Sequence, residues 1–176
     1  VIQAAIGQSD NAFTPLQLAT YCATIANNGT RLKTHLVKQV TNYNRDQVIS
    51  ETEPEVVAQV DISEENLKTV QEAMKGVTQS GGTANSVFGD YGITIAAKTG
   101  TAENPGHSDN VTFIAYAPYD DPEIAVAVVL EYGSRGTYSM NVAKDIFDAY
   151  FYGKTVDENG NLVMPEETNS SSTANE

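Results

Sequence analysis

The hydrophobic positions of this chain fall into three helical stripes and a series of short strand-like runs. Leu18, Tyr21, Cys22, Ile25 and Ala26 recur at i, i+3, i+4, i+7 and i+8, the spacing that lines one face of a helix. The residues before them predict its start. Thr14 is an N-cap, Pro15 suits the first helical position, and Gln17 completes a T-x-x-Q capping box. Phe13 and Leu18 stand at the two ends of a hydrophobic staple. Asn28-Gly29 predicts the stop, because glycine accepts the left-handed conformation that ends a helix. The first helix therefore runs from about Pro15 to Asn27.

Residues 31–60 alternate weakly, with β-branched runs at His35 to Val40 and Gln47 to Ser50, and predict a hairpin or two short strands. Leu67, Val70, Met74 and Val77 share one side of a second helix, from about Ser63 to Val77. Ser80-Gly81-Gly82-Thr83 is a loop.

Three strands follow. Ile93 to Thr99 and Val111 to Ala117 alternate, whereas Ile124 to Leu130 is apolar at every position, as befits a strand covered on both faces. The connections Glu103 to Asn110 and Pro118 to Glu123 are short enough for antiparallel hairpins. A last helix spans about Met140 to Tyr152, with Val142, Ala143, Ile146, Phe147 and Tyr150 inward. An apolar strand needs cover on both sides, and the first and last helices can supply it. The expected fold class is α+β, an antiparallel sheet flanked by helices on both faces. From residue 154 the composition turns to Asn, Ser, Thr and Glu, so 1–153 reads as the folded body and 154–176 as an acidic, flexible tail.

Composition narrows the function classes. The 176 residues are 40% hydrophobic and 19% charged, enough for one domain with a real core. A net charge of −13 argues against a nucleic-acid partner, which needs clustered Lys and Arg. The longest apolar run, Ile124 to Leu130, is too short to span a bilayer, and no signal peptide opens the chain. The start at Val1 leads us to expect a piece of a longer protein. Cys22 is the single cysteine, so no internal disulfide forms, and its place in the stripe marks it as a core residue.

The candidate chemistry lies at Ile95-Ala96-Ala97-Lys98-Thr99-Gly100-Thr101-Ala102-Glu103. A glycine on a strand lets a ligand backbone approach closely. Hydroxyls and an ammonium beside it can hold a carboxylate through charge-assisted hydrogen bonds, each contributing about 1.5–3 kcal/mol. A free backbone N–H there can serve an oxyanion hole. Taken alone, Lys-Thr-Gly is also compatible with a strand end beside a solvated lysine. Gly92 to Thr99 spells G-x-x-x-x-A-K-T, one residue from a phosphate loop, but Ile93-Thr94-Ile95 favours strand over the glycine-lined turn that loop requires. His35 and His107 lie far apart and no metal-ligand spacing occurs, so we expect no metal. His107 with Asp109 stands near the motif strand, either at a cleft rim or as a solvated loop histidine. Tyr116, Tyr150 and Phe151 read as core or rim residues.

The wider context resembles the C-terminal part of the transpeptidase domain of class B penicillin-binding proteins. Lys-Thr-Gly is one of the three motifs of the serine penicillin-recognising enzymes, beside S-x-x-K and S-D-N. Ala97-Lys98-Thr99-Gly100-Thr101-Ala102-Glu103 is similar to the extended form of that motif. Ile6-Gly7-Gln8, Thr14-Pro15-Leu16-Gln17-Leu18-Ala19 and Ala26-Asn27-Asn28-Gly29 resemble the family's preceding segment. Phe113-Ile114-Ala115-Tyr116-Ala117-Pro118 and the apolar run ending in Glu131 resemble the two strands that follow. The likeness covers about residues 1–152, in order, and implies a partial transpeptidase-like fold.

The resemblance implies a peptidoglycan D,D-transpeptidase acting on D-Ala-D-Ala stem peptides and trapped by β-lactams, without cofactor. Lys98 would lend positive charge to the substrate carboxylate, and Thr99 and Thr101 would offer it hydroxyls. The Thr101 N–H would be one of two oxyanion donors, and Gly100 would keep the strand surface open. Ala97 stands where the family often has glycine and should slightly narrow the approach. No serine here is followed three residues later by lysine, so the nucleophile is expected upstream of Val1 and the chain alone should be inactive. Its partner would be the missing N-terminal half of the domain. The parent would be extracytoplasmic and held to the membrane by a segment absent here. Ser9-Asp10-Asn11 and Ser108-Asp109-Asn110 both spell S-D-N, but in the family that motif precedes both places, and these are common turn formers. Two other functions fit the same motif: a non-catalytic module binding an extended peptide along the strand, and a serine β-lactamase or D,D-carboxypeptidase.

Overall fold

The computed structural model describes Gly7 and residues 11–165. The Gly-Gln segment, apart from Gly7, and Ser9-Asp10 lie outside the described residues, as does the chain after Pro165.

Helix α1, Pro15–Ala26, begins as its sequence dictates. The Thr14 hydroxyl accepts from the Gln17 N–H at 3.2 Å, and the Thr14 N–H donates to Gln17 Oε1 at 2.8 Å, closing the capping box. It ends where Asn28 and Gly29 adopt φ of 51° and 82°. Cys22 and Ile25 are buried, but Phe13 and Tyr21 remain 62% and 58% exposed. Both rings line a surface groove of about 700 Å³ between α1 and the strands that follow it, together with Leu18.

Residues 30–59 form four strands, β1 Thr30–Leu32, β2 Gln39–Thr41, β3 Val48–Glu51 and β4 Val56–Gln59. They pair antiparallel as β1–β4 and β2–β3, a small ladder enclosing a hairpin. Helix α2, Glu64–Gly76, is capped by Ser63, carries Glu64 and Glu65 in its first turn and Lys75 in its last, and buries Leu67 and Met74. Gln71 Nε2 donates to the Ile25 carbonyl at 2.8 Å and ties α2 to α1. A one-turn helix, α3 Asn85–Phe88, follows the Gly81-Gly82-Thr83 loop.

The central sheet is β5 Ala96–Ala102, β6 Asn110–Ala117 and β7 Ile124–Leu130, antiparallel and in that spatial order. Its register is regular, with Lys98 opposite Ile114, Thr99 opposite Phe113 and Gly100 opposite Thr112. β5 starts three residues later than the alternation predicts and runs through Thr101 and Ala102. Those two residues pair with Val111 and Asn110 of the hairpin, a long-range match that local polarity does not reveal.

The sheet is packed on both faces. On one, Ala97, Phe113, Ala115, Val126 and Val128 meet Met140, Ala143 and Phe147 of helix α4, Gly136–Tyr152, and Phe88 of α3. On the other, Ala96, Ile114 and Tyr116 meet Cys22 and Ile25 of α1 and Leu67 and Met74 of α2. β7 touches both layers, which is why it shows no alternation. Cys22 is fully buried, and that burial pushes its thiol up to about 12.

One expectation needs correction near the C-terminus. Helix α4 starts four residues earlier than Met140, and Val142, Ile146 and Tyr150 face outward. The apolar stripe is wider than the contact with the sheet, so only its Ala143 and Phe147 side is buried. After α4 the described residues continue into a hairpin, β8 Thr155–Val156 pairing with β9 Leu162–Val163, and after Pro165 the rest of the segment read as a tail lies outside the described residues. The Asp157 carboxylate nucleates its turn, accepting from the Asn159 and Asn161 N–H groups at 2.9 and 2.7 Å. These bonds, with Asn161 first among them, hold the Asp157 carboxyl below its ordinary value.

Candidate active site

Strand β5 is an edge strand, bonded to β6 on one side only among the described residues. Two contacts orient it. The Tyr119 N–H donates to the Thr94 carbonyl at 2.8 Å from the β6 side, whereas the Thr78 hydroxyl donates to the Ile95 carbonyl at 2.7 Å from the other. Successive residues of an extended chain turn their N–H and C=O groups to opposite edges. Carried along the regular β5 register, this alternation turns the backbone of Thr99 and Thr101 toward the edge that β6 leaves open.

The side chains are arranged around that edge. Lys98 is exposed, and its ammonium donates to the Thr99 carbonyl at 2.6 Å. Thr99 is half-buried and its hydroxyl lies 3.3 Å from that of Thr83. Thr101 is exposed. A Cβ added at Gly100 would make only ordinary contact with Thr112, 3.5 Å away. The fold itself does not require glycine there. Ala97 is fully buried in the α4 layer, so its methyl fills the core and does not narrow the approach to the strand.

A buried polar cluster joins α4 to the turn that precedes β5. Asp148 of α4 is 2% exposed and accepts from the Tyr91 hydroxyl, Lys144 Nζ and Lys154 Nζ, each at 2.8 Å. Burial alone would raise the Asp148 carboxyl. Bonds from Lys144, Lys154 and Tyr91 outweigh it and hold the group below its ordinary value. Tyr91 is pushed up, by burial first and then by Asp148. The cluster anchors the turn that leads into β5 against the end of α4.

The structure brings Lys98, Thr99, Gly100 and Thr101 together with Thr83, which periodicity could not find because a loop carries no periodic signal. His107 sits in the β5–β6 hairpin against the Tyr132 ring, with centroids 5.1 Å apart. Ser108-Asp109-Asn110 ties that hairpin to the β7–α4 turn: Asn110 Oδ1 accepts from the Tyr132 N–H at 2.9 Å, and the Asp109 carbonyl from the Ser134 N–H at 3.0 Å. Its Asp and Asn have these structural partners. Tyr116 is core, whereas Tyr150 is exposed and Phe151 packs on the α4-side cluster. Among the described residues no group of three or more His, Cys, Asp and Glu side chains could hold a metal, and no helix is long and apolar enough to cross a membrane.

Residues 1–151 match the penicillin binding protein transpeptidase domain. Penicillin-binding protein 2A of Bacillus subtilis is 37% identical over 166 residues, covering 84% of this chain and 23% of that protein. The peptidoglycan D,D-transpeptidase PbpA of Mycolicibacterium smegmatis is 38% identical over 135 residues, covering 73% and 26%. Among solved structures, penicillin-binding protein A from M. tuberculosis in its imipenem acyl-enzyme complex superposes with a TM-score of 0.72 at 30% identity, over 85% of this chain and 33% of that one. Its penicillin G acyl-enzyme complex gives 0.70 at 30% identity, covering 85% and 34%. The chain thus spans about a quarter of the length of the named relatives. It belongs to the penicillin-binding protein transpeptidase domain family.

Proposed function

We propose that this chain supplies the substrate-carboxylate and oxyanion side of a peptidoglycan D,D-transpeptidase site, within a longer protein that provides the nucleophilic serine. The observation that carries this reading is the open edge of β5. It offers the Thr101 N–H to an incoming carbonyl oxygen while Lys98, Thr99 and Thr101 stand beside it as cationic and hydroxyl donors. Relatives named peptidoglycan D,D-transpeptidases, and solved relatives captured as β-lactam acyl-enzymes, support it.

In this mechanism a serine oxygen attacks the D-Ala-D-Ala carbonyl. The developing oxyanion is held by the Thr101 N–H and a second donor from outside this chain. Loss of one such preorganised donor costs about 100–1,000-fold in rate in other enzymes. Lys98 and the Thr99 and Thr101 hydroxyls hold the terminal carboxylate, fixing the peptide along β5. The C–N bond breaks, D-Ala leaves with the proton, and the acyl group passes from serine to an acceptor amine. A β-lactam opens by the same attack, but its leaving group stays tethered and the ester persists. The proposed substrate, peptidoglycan, places the longer protein's work outside the cytoplasm, in keeping with relatives named peptidoglycan D,D-transpeptidases.

The test is labelling of the longer protein with a fluorescent penicillin. We expect covalent labelling that benzylpenicillin blocks and that Lys98→Ala slows. A protein that binds stem peptide but never labels is a peptide-binding module, and one that hydrolyses benzylpenicillin rapidly is a β-lactamase; either result overturns the proposal.

A further inference from the structure

We infer that Thr83 is a positioning residue for the Thr99 hydroxyl and, through it, for the substrate carboxylate. This rests on the reading above, in which Thr99 holds that carboxylate. The two hydroxyl oxygens are 3.3 Å apart, although the residues are 16 apart in sequence and belong to different elements.

The loop that carries Thr83 is fastened to the motif strand at its base. Thr78, just after α2, is buried and its hydroxyl donates to the Ile95 carbonyl at 2.7 Å, on the edge of β5 that also carries the backbone of Thr99. Asn85 Nδ2 donates to the Thr78 carbonyl at 3.2 Å, and the Ala84 N–H to the Val77 carbonyl at 2.9 Å. Gly82, immediately before Thr83, cannot be replaced in this conformation, because a Cβ would collide with the Gly76 and Val77 carbonyls. The loop is therefore folded tightly onto the strand, and it presents an exposed Thr83 beside a half-buried Thr99.

A hydroxyl has one proton and can both donate and accept. When Thr83 donates to Thr99 Oγ1, the Thr99 proton is directed away from Thr83 and is free for a carboxylate oxygen. A chain of this kind, Thr83 to Thr99 to carboxylate, polarises along its length and strengthens its last bond. Thr83 touches no substrate in this scheme.

The experiment measures the second-order rate constant of acylation by benzylpenicillin in the longer protein carrying this chain, for Thr83→Val, Thr83→Ser, Thr99→Val and the double Val variant. Each is repeated with benzylpenicillin methyl ester, whose carboxylate is masked, and melting temperatures check the fold. We expect Thr83→Val to slow acylation by the free acid by about fivefold to tenfold. It should leave the rate with the ester unchanged and add nothing to Thr99→Val, while Thr83→Ser restores the wild-type rate. If Thr99→Val slows acylation and Thr83→Val does not, or if free acid and ester are slowed equally, the inference fails and the transpeptidase reading stands. If Thr99→Val is itself silent, carboxylate recognition by Thr99 falls, and the role of Thr83 falls with it.

Discussion

The Tyr91 hydroxyl donates to Asp148 Oδ1 at 2.8 Å across 57 residues of sequence, joining the approach to β5 to the last turns of α4. Lys144 and Lys154 share the other carboxylate oxygen, and Lys144 also lies over the Tyr91 ring, 5.4 Å from its centroid. Replacing Asp148 by Ala removes the common acceptor of three donors. Since both lysines keep about a third of their side-chain surface in water, the loss is smaller than for a fully buried pair. Asp148→Ala should destabilise the protein by about 2 kcal/mol, read as a drop in melting temperature.

The same carboxylate sets a pH dependence. Its pKa is lowered in the folded state, so its stabilisation is complete above the unfolded value of about 3.9 and is lost as pH falls through the lower, folded value. Melting temperature should therefore show no contribution from Asp148 to its slope above about pH 5, and should fall below about pH 4. Asp148→Asn should make that acid limb shallower. An unchanged limb would mean that Asp148 is not held as an ion by its three donors.

Gly82 and Gly100 make opposite predictions. A Cβ at Gly82 collides with two carbonyls, so Gly82→Ala should cost about 1–3 kcal/mol and lower the melting temperature. A Cβ at Gly100 finds ordinary contact with Thr112, so Gly100→Ala should melt near wild type. It should nonetheless slow acylation by about 10- to 100-fold, because the methyl would displace the ligand proposed to lie along the strand. Equal melting and equal acylation for Gly100→Ala would remove the case for close backbone approach.

Much of this architecture was legible because local chemistry and tertiary packing agree. The capping box of Thr14 and Gln17, the stop at Asn28-Gly29, and the unbroken apolar run of β7 each have one physical reading, and the structure contains all three. The misses come from long-range pairing. Lys144 and Asp148 stand at i and i+4, but Tyr91 and Lys154 join them only through the tertiary fold. Lys98 and Gly100 announce themselves as a motif, whereas Thr83 meets Thr99 only through where its loop lands. Val142, Ile146 and Tyr150 fit the helical stripe, yet the sheet is too narrow to cover them.

Lys98 permits a clean separation of function from fold. It is exposed, and its ammonium donates to the carbonyl of its own neighbour Thr99, so Lys98→Ala should change stability by no more than about 0.5 kcal/mol. In the longer protein it should slow acylation by benzylpenicillin about 100- to 1,000-fold, the cost of losing a preorganised charged group. Stopped-flow or fluorescent-penicillin kinetics would measure it. An equal loss of melting temperature and rate would assign Lys98 to the fold instead.

The 176-residue chain by itself should form no covalent adduct with penicillin, although it contains Lys98-Thr99-Gly100. Acylation needs a nucleophile activated by a neighbouring base, and no serine here is followed by lysine at the third position. In Ser108-Asp109-Asn110 the Asp carbonyl and Asn side chain are committed to the β7–α4 turn, and none of those bonds gives Ser108 a base. In the proposed site the donors on β5 orient a carboxylate and polarise a carbonyl, and without an attacking oxygen they would leave the lactam amide intact. Intact-mass measurement after incubation with benzylpenicillin decides the matter, with the longer protein as the positive control. The expected spectrum of the chain shows the unmodified mass alone. A stoichiometric shift by the mass of one benzylpenicillin, mapped by peptide analysis to Ser108 or Ser9, would place a nucleophile within these residues and overturn the division of labour proposed for the site.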